Sequence, residues 1–190
     1  MLLDLVRVVA PAADVVTVAE LKAQVRLLSS EEDAVLRGYL DAATGHLDGY
    51  AGVLGRALVA QTWVLHLAGF PACGRIELPL APLISVGSVA YVDADGATQT
   101  LSASVYEAHA GPRAELTLAD GQSWPSTAAR ARAVSVTFTA GYGAAGEDVP
   151  APLRLAVTLQ AAVYDAGRVK VGELDPAVLA LIGPYRRIRI

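Results

Sequence analysis

The chain has 190 residues but only one cysteine, one methionine, two tryptophans and three histidines. The lone Cys73 permits no intrachain disulfide and no zinc site built mainly from thiolates, and it fits a reducing compartment. Charge is scarce as well, at 18% of residues, and it leans acidic, with a net charge of −4. Binding to nucleic acid by counterion release needs clustered Lys and Arg, so a general nucleic-acid surface is not expected.

What is abundant is apolar side chain. Hydrophobic residues make up 54% of the chain and the mean hydropathy is +0.43. Such a chain either enters a membrane or hides apolar surface against other chains. The uncharged run Leu78–Val92 carries Pro79 and Pro82 and is shorter than the roughly 20 residues a bilayer span needs. The N-terminus carries Asp4 where a secretory signal wants positive charge. The expectation is therefore no membrane partner and large subunit interfaces.

Periodicity divides the chain into three stretches. Thr17-Val18-Ala19-Glu20 is a capping-box pattern, in which the Thr oxygen satisfies a helix N–H and the Glu reaches back. It predicts a short helix through about Leu28. Ser29-Ser30-Glu31-Glu32 repeats the pattern ahead of a longer helix, with Leu36, Leu40, Ala43 and Leu47 on one face. Alternation then takes over. Residues 61–67, 76–80 and 134–139 alternate, and Asp93-Ala94-Asp95-Gly96 marks a hairpin turn. Strands are also expected near residues 104–107 and 115–118. Pro150 and Pro152 sit where a first helical turn tolerates proline, and Leu155, Leu159, Ala162 and Val163 are taken as the apolar face of that helix. Asp175-Pro176 opens a last helix through Ile182.

The expected fold class is α+β: a helical bundle, made of an N-terminal helix pair plus C-terminal helices, with an inserted antiparallel β-meander. It is read as one domain over residues 1–190. Helices occupy about 17–52 and 150–182, the β-rich insertion about 57–140, and a docking tail 184–190.

Catalytic and cofactor motifs fail on inspection. Gly141-Tyr142-Gly143-Ala144-Ala145-Gly146 matches the dinucleotide-binding glycine pattern, but the helix starts several residues late, and Glu147 and Asp148 would repel phosphates. Asp93 and Asp95 lack the remaining ligands of a calcium loop. His46, His66 and His109 share no metal spacing, and neither a zinc-protease nor a serine-hydrolase signature is present. No catalytic residue, metal or cofactor is expected. A small hydrolase remains an alternative only if a histidine meets an acid or serine in a pocket.

The remaining candidates are contact residues. Trp124, in a turn-rich segment, is suited equally to core or interface, and Tyr142 is a second candidate interface anchor. In the tail, Tyr185, Arg186, Arg187, Ile188, Arg189 and Ile190 combine charge with alternating isoleucines. That composition suits an extended segment docking on a partner's sheet or groove.

Several of these segments together resemble one family. Thr17-Val18-Ala19-Glu20-Leu21-Lys22 with Leu27 and Glu31-Glu32-Asp33 resembles its opening helix pair. Gln61-Thr62-Trp63-Val64-Leu65 with Phe70-Pro71 resembles its first strand. Ile76-Glu77-Leu78-Pro79-Leu80-Ala81-Pro82-Leu83-Ile84-Ser85-Val86 resembles its proline-punctuated strand pair, and Tyr91-Val92-Asp93-Ala94-Asp95-Gly96 its hairpin. Phe138-Thr139-Ala140-Gly141-Tyr142-Gly143 followed by Val149-Pro150-Ala151-Pro152-Leu153 resembles its strand-to-helix crossing. The family is the head–tail connectors (adaptors) of long-tailed phages and gene transfer agent particles.

The resemblance implies a structural virion protein at the head–tail interface, assembled in the bacterial cytoplasm, and no enzyme. It implies a homo-oligomeric ring, expected to be a dodecamer. The partners would be the portal protein, engaged through the C-terminal segment, and a stopper or tail-completion protein. DNA would pass through the channel without specific binding, which suits the acidic balance. The alternative within the same class is a stopper or tail-terminator.

Overall fold

A computed structural model describes residues 4–111, 113–167 and 173–187. It corrects the expected architecture. Among the described residues there are four α-helices and eight strands in two antiparallel sheets, so the fold is mixed α+β with sheet predominating by number of elements. It is not a helical bundle with an inserted meander. Two of the helices are only eight and seven residues long. The apolar N-terminal arm is itself a strand, and the strands do not pair in chain order. No helix among the described residues is long and apolar enough to cross a membrane.

The chain forms two compact units, and neither is continuous in sequence. The first comprises Met1–Pro11 and Ala60–Gly141, the second Ala12–Val59 and Tyr142–Ile190.

In the first unit the strands are β1 (Asp4–Val9), β2 (Gln61–Leu67), β3 (Arg75–Glu77), β4 (Leu83–Val92), β5 (Thr98–Thr100), β6 (Tyr106–His109), β7 (Glu115–Leu118) and β8 (Val134–Ala140). One sheet has the order β1-β2-β8-β4-β5 and the other β3-β7-β6. β8 is central because its alternation is complete: Val134, Val136, Phe138 and Ala140 are buried, while the intervening Ser and Thr are half-buried. It pairs with β2 in unbroken register from Gln61↔Ala140 to Leu67↔Val134. Its pairing with β4 slips between Val86 and Ser88, where a side chain on Gly87 would touch Thr137.

The other face carries polar cross-strand pairs. Thr62 and Thr139 hydroxyls lie 3.1 Å apart, and His66 Nδ1 lies 2.8 Å from Ser135 Oγ. The edge strand β1 leaves Val6, Val8 and Val9 exposed. It is tied down by Arg7, whose guanidinium lies 5.8 Å over the Trp63 ring, and by an ion pair between Asp4 and Arg132. At the opposite edge, Asp93 closes the β4–β5 hairpin. Its carboxylate accepts from the Asp95 and Ala97 amides and from Gln99, an arrangement that holds its pKa below the usual range, chiefly through the Gln99 bond.

In the second unit the helices are α1 (Val18–Val25), α2 (Asp33–Leu47), α3 (Ala151–Asp165) and α4 (Pro176–Ile182). The capping box at Thr17 is formed in both directions. Thr17 Oγ1 accepts from the Glu20 amide at 3.2 Å, and Glu20 Oε2 accepts from the Thr17 amide at 2.8 Å. The second expected cap is absent. α2 begins after Glu32 with no side-chain cap, and Ser29 instead accepts from Glu31 within the loop. Leu36, Leu40, Ala43 and Leu47 are buried as their spacing predicts.

The buried face of α3 is not the expected one. Leu153, Ala156, Val157, Gln160, Ala161 and Tyr164 enter the core, whereas Leu155 is 42% exposed and Leu159, Ala162 and Val163 are half-buried. The physical reason is Gln160, which is fully buried yet satisfied. Its amide donates to the Glu173 carbonyl at 3.0 Å and its carbonyl accepts from the Asp175 amide at 3.0 Å, just before α4. Thr158 is likewise buried by returning its hydroxyl to the Arg154 carbonyl.

Glu20 makes acid stability a readout of the α1 cap. Its pKa is lowered, first by the Thr17 backbone N–H, with further help from the Thr17 hydroxyl and Arg154. A lowered folded-state pKa gives stability that is fully present above about 4.5, the unfolded value, and is lost as pH falls through the folded value. The melting temperatures of the wild type and of Glu20→Gln are expected to differ at pH 6 and to converge as pH falls through the lowered folded-state value. A gap that persists unchanged into acid would mean that Glu20 does not act through its charge.

Candidate functional site

The glycine-rich turn after β8 is structural. Gly141 donates its amide to the Pro82 carbonyl and Tyr142 donates its own to the Leu58 carbonyl, so these donors are already occupied. A side chain on Gly143 would strike the Asp148 carboxyl group, and one on Gly146 would strike the backbone carbonyls of Asp14 and Val15. Asp148 accepts from the Ala145 amide at 2.9 Å, so a carboxylate stands where a phosphate would have to sit. The glycines are there for close packing.

Among the described residues no group of three or more His, Cys, Asp or Glu side chains is placed to hold a metal. The histidines lie apart. His46 Nδ1 is 3.5 Å from the Tyr164 hydroxyl, and His109 Nε2 is 2.7 Å from Thr117 Oγ1. His66 does meet a serine, and the strand register aligns Asp4, His66 and Ser135 across β1, β2 and β8. That row has the residue types of a hydrolase triad but not its connections. Asp4 is paired with Arg132 instead, and among the described residues no hydrogen bond joins it to His66.

The described start of the tail is held against the second unit. After α4, the 3₁₀ turn Gly183–Tyr185 leads to Arg186, which is exposed, and Arg187, which is half-buried. Arg56 Nε donates to the Tyr185 carbonyl at 2.6 Å, and the Arg187 amide donates to the Leu54 carbonyl at 3.0 Å. Tyr185 and Tyr142 both pack against the helical core. Burial raises the Tyr142 phenol pKa, and Arg56 opposes that shift. Tyr142 and Tyr185 are thus partly inside the unit, with Arg186 left outward. Ile188, Arg189 and Ile190 lie outside the described residues. Nothing in the sequence marked Arg56 or Leu54 as the tail's holders, since both act through groups that any sequence could supply.

Trp124 is half-buried and stacks on Phe70, with centroids 4.8 Å apart and planes 6° from parallel. Tyr91 also meets Phe70, edge-on at 5.8 Å. Trp124 borders an open groove of about 460 Å³ lined by Phe70, Pro71, Leu118 and Pro125 among others, and its buried indole N–H has no hydrogen-bond partner among the described residues. Phe70 was the missed partner; its aromatic neighbours are distant in sequence.

These surfaces offer aromatic and aliphatic contact area. No family model and no curated protein matches the chain. Solved structures do. One is a chain in the neck of an empty gene transfer agent (GTA) particle computed with C6 symmetry, 30% identical, covering 100% of this chain and 97% of that one, with a TM-score of 0.81. A second, from the virion of the native GTA particle, is also 30% identical with the same coverage and a TM-score of 0.80. A third, from the native GTA neck computed with C12 symmetry, is 27% identical with a TM-score of 0.72. The chain belongs to the head–tail connector family and is a structural component of a virion or phage-like particle.

Proposed function

We propose that this chain is the adaptor of a phage-like particle. It is a subunit of a ring, expected to be dodecameric, that docks on the portal protein, extends the DNA channel and receives a stopper or tail-completion protein. The whole chain works as one adaptor domain, residues 184–190 are its docking tail, and it performs no chemistry. The observation that carries this is likeness along the entire chain to proteins of the GTA neck, solved with C6 and C12 symmetry. Cyclic symmetry of that kind is what a ring requires. The exposure of Arg186 beside a Tyr185 held by Arg56 supports tail docking. The net charge of −4 suits a channel that passes DNA without holding it, and a strongly positive lumen in a solved ring would refute that part.

The test is binding to the purified portal ring by the full chain and by one ending at Tyr185. Full-length binding that weakens at least about a hundredfold on truncation, a loss of about 2.7 kcal/mol, is the expected result. Equal binding by both forms would remove the tail from the docking role. Binding by neither would leave the stopper reading and end the adaptor one.

A further inference from the structure

We propose that Arg56 is the positioning residue of the docking tail: it fixes the base of the tail in the free subunit, so that part of the ordering cost of docking is met beforehand. The inference deepens the reading above and rests on it, since a holder of the tail matters to assembly only if the tail docks.

The case begins with the loop that carries Arg56. Residues 48–58 follow α2, and their backbone is tied back to the end of that helix. The Val53 amide donates to the His46 carbonyl at 3.0 Å and the Leu54 amide to the Leu47 carbonyl at 3.3 Å. The Leu58 amide donates to the Asp48 carboxylate at 2.7 Å, and the Gly49 amide closes the loop on the Arg56 carbonyl at 2.7 Å. Gly52 lies so close to the helix end that a side chain there would strike the Leu47 and Asp48 carbonyls. Leu54, Ala57 and Leu58 are fully buried. A loop with this many ties and so much burial is a firm platform.

Two groups of the platform are given to the tail. The Leu54 carbonyl accepts from the Arg187 amide at 3.0 Å, and Arg56 Nε donates to the Tyr185 carbonyl at 2.6 Å. In sequence the two bonds flank Arg186, which is exposed. Tyr185 also packs against the helical core. A segment ordered only on binding loses backbone freedom at that moment, and the loss is subtracted from its affinity. Residues 185–187 are ordered beforehand by these ties. The Leu54 bond joins two backbone groups and is open to almost any sequence. The Arg56 bond is not, so the side-chain share of the hold rests on Arg56. Its donor is Nε, the third atom beyond Cβ, and glutamine places a neutral N–H donor at the same distance along its chain.

The test measures docking on the purified portal ring by the full chain and by the chain ending at Tyr185, each as wild type, Arg56→Met and Arg56→Gln. Methionine keeps the bulk and removes the donor. Arg56→Met is expected to weaken docking of the full chain at least about tenfold, the worth of one hydrogen bond from a charged donor. It should leave the shortened chain unchanged, because Arg56 acts through what the truncation removes. Arg56→Gln is expected to stay within about threefold of the wild type. If Arg56→Met docks like the wild type while truncation still weakens docking, the inference is overturned and tail docking stands. Equal weakening of the full and shortened chains would overturn it as well, since Arg56 would then act without the tail. A glutamine variant as weak as the methionine one would assign the effect to charge and refute the positioning role. Truncation without effect would remove the tail's docking role and this inference together. Hydrogen exchange of the free wild-type chain supplies a check that depends on no variant. The Arg187 amide should exchange at least about tenfold more slowly than in an unstructured peptide, and an unprotected amide would show that the base of the tail is not held.

Discussion

Phe138→Ala is expected to cost about 3–5 kcal/mol, which is a large part of the roughly 5–15 kcal/mol available to a folded domain. Phe138 is fully buried on β8 and is among the largest of the buried side chains. Its strand has neighbours on both sides, and the register sets it opposite Trp63 on β2 and Val86 on β4. Removing the ring leaves a cavity where neighbours are fixed by two hydrogen-bonded ladders, so little collapse can fill it. Phe138→Leu, which keeps most of the volume, should cost less than about 1.5 kcal/mol. Urea unfolding of the three proteins decides the matter. A Phe138→Ala loss no larger than the Leu loss would mean that the sheet relaxes around the site.

Gly146→Ala should cost about 3 kcal/mol, at the upper end for overpacking. The added methyl would meet the carbonyl oxygens of Asp14 and Val15, and backbone atoms cannot swing aside as a long side chain can. The segment entering α1 would have to move away from the turn before α3. Gly38→Ala is the control. Gly38 lies in α2 with open space around it, and alanine there should stabilise by about 0.5–1 kcal/mol. Two Gly→Ala changes of opposite sign, read by thermal unfolding, separate close packing from helix propensity. Matching signs would dismiss the packing account of the glycine-rich turn.

Local signals were legible in the sequence. The Thr17 capping box, the Leu36-Leu40-Ala43-Leu47 stripe, the alternation of β8 and the Asp175-Pro176 helix start each depend on a few adjacent residues, and each is formed. What depended on distant partners was not. Asp4–Val9 becomes a strand because β2 pairs with it, and its own periodicity is weak. The split into two sheets follows from which strands find each other, and alternation does not encode that. α3 misled because it has two apolar faces. The face richer in leucine is not the buried one, and Gln160, a residue that usually signals solvent, lies in the core with both amide groups satisfied. Among the contact residues, the tail stands out by its alternation, but Arg56 and Leu54, which hold its base, carry no sign of that role in the sequence.

The chain passes between its two units three times, after Pro11, Val59 and Gly141. That route has a consequence for synthesis. A domain made of one continuous stretch can begin folding on the ribosome as soon as it emerges. Here β2 and β4 have no common neighbour until Val134–Ala140 has been translated, and the helical unit lacks α3 until later still. Until then Trp63 and Leu65 have only β1 beside them and lack the central strand of their sheet. Loop closures of this length are slow, and open strand edges left waiting are prone to aggregate. Folding is therefore expected to be largely post-translational, and the yield of this protein to depend on how quickly β8 finds its place between two strands made long before it.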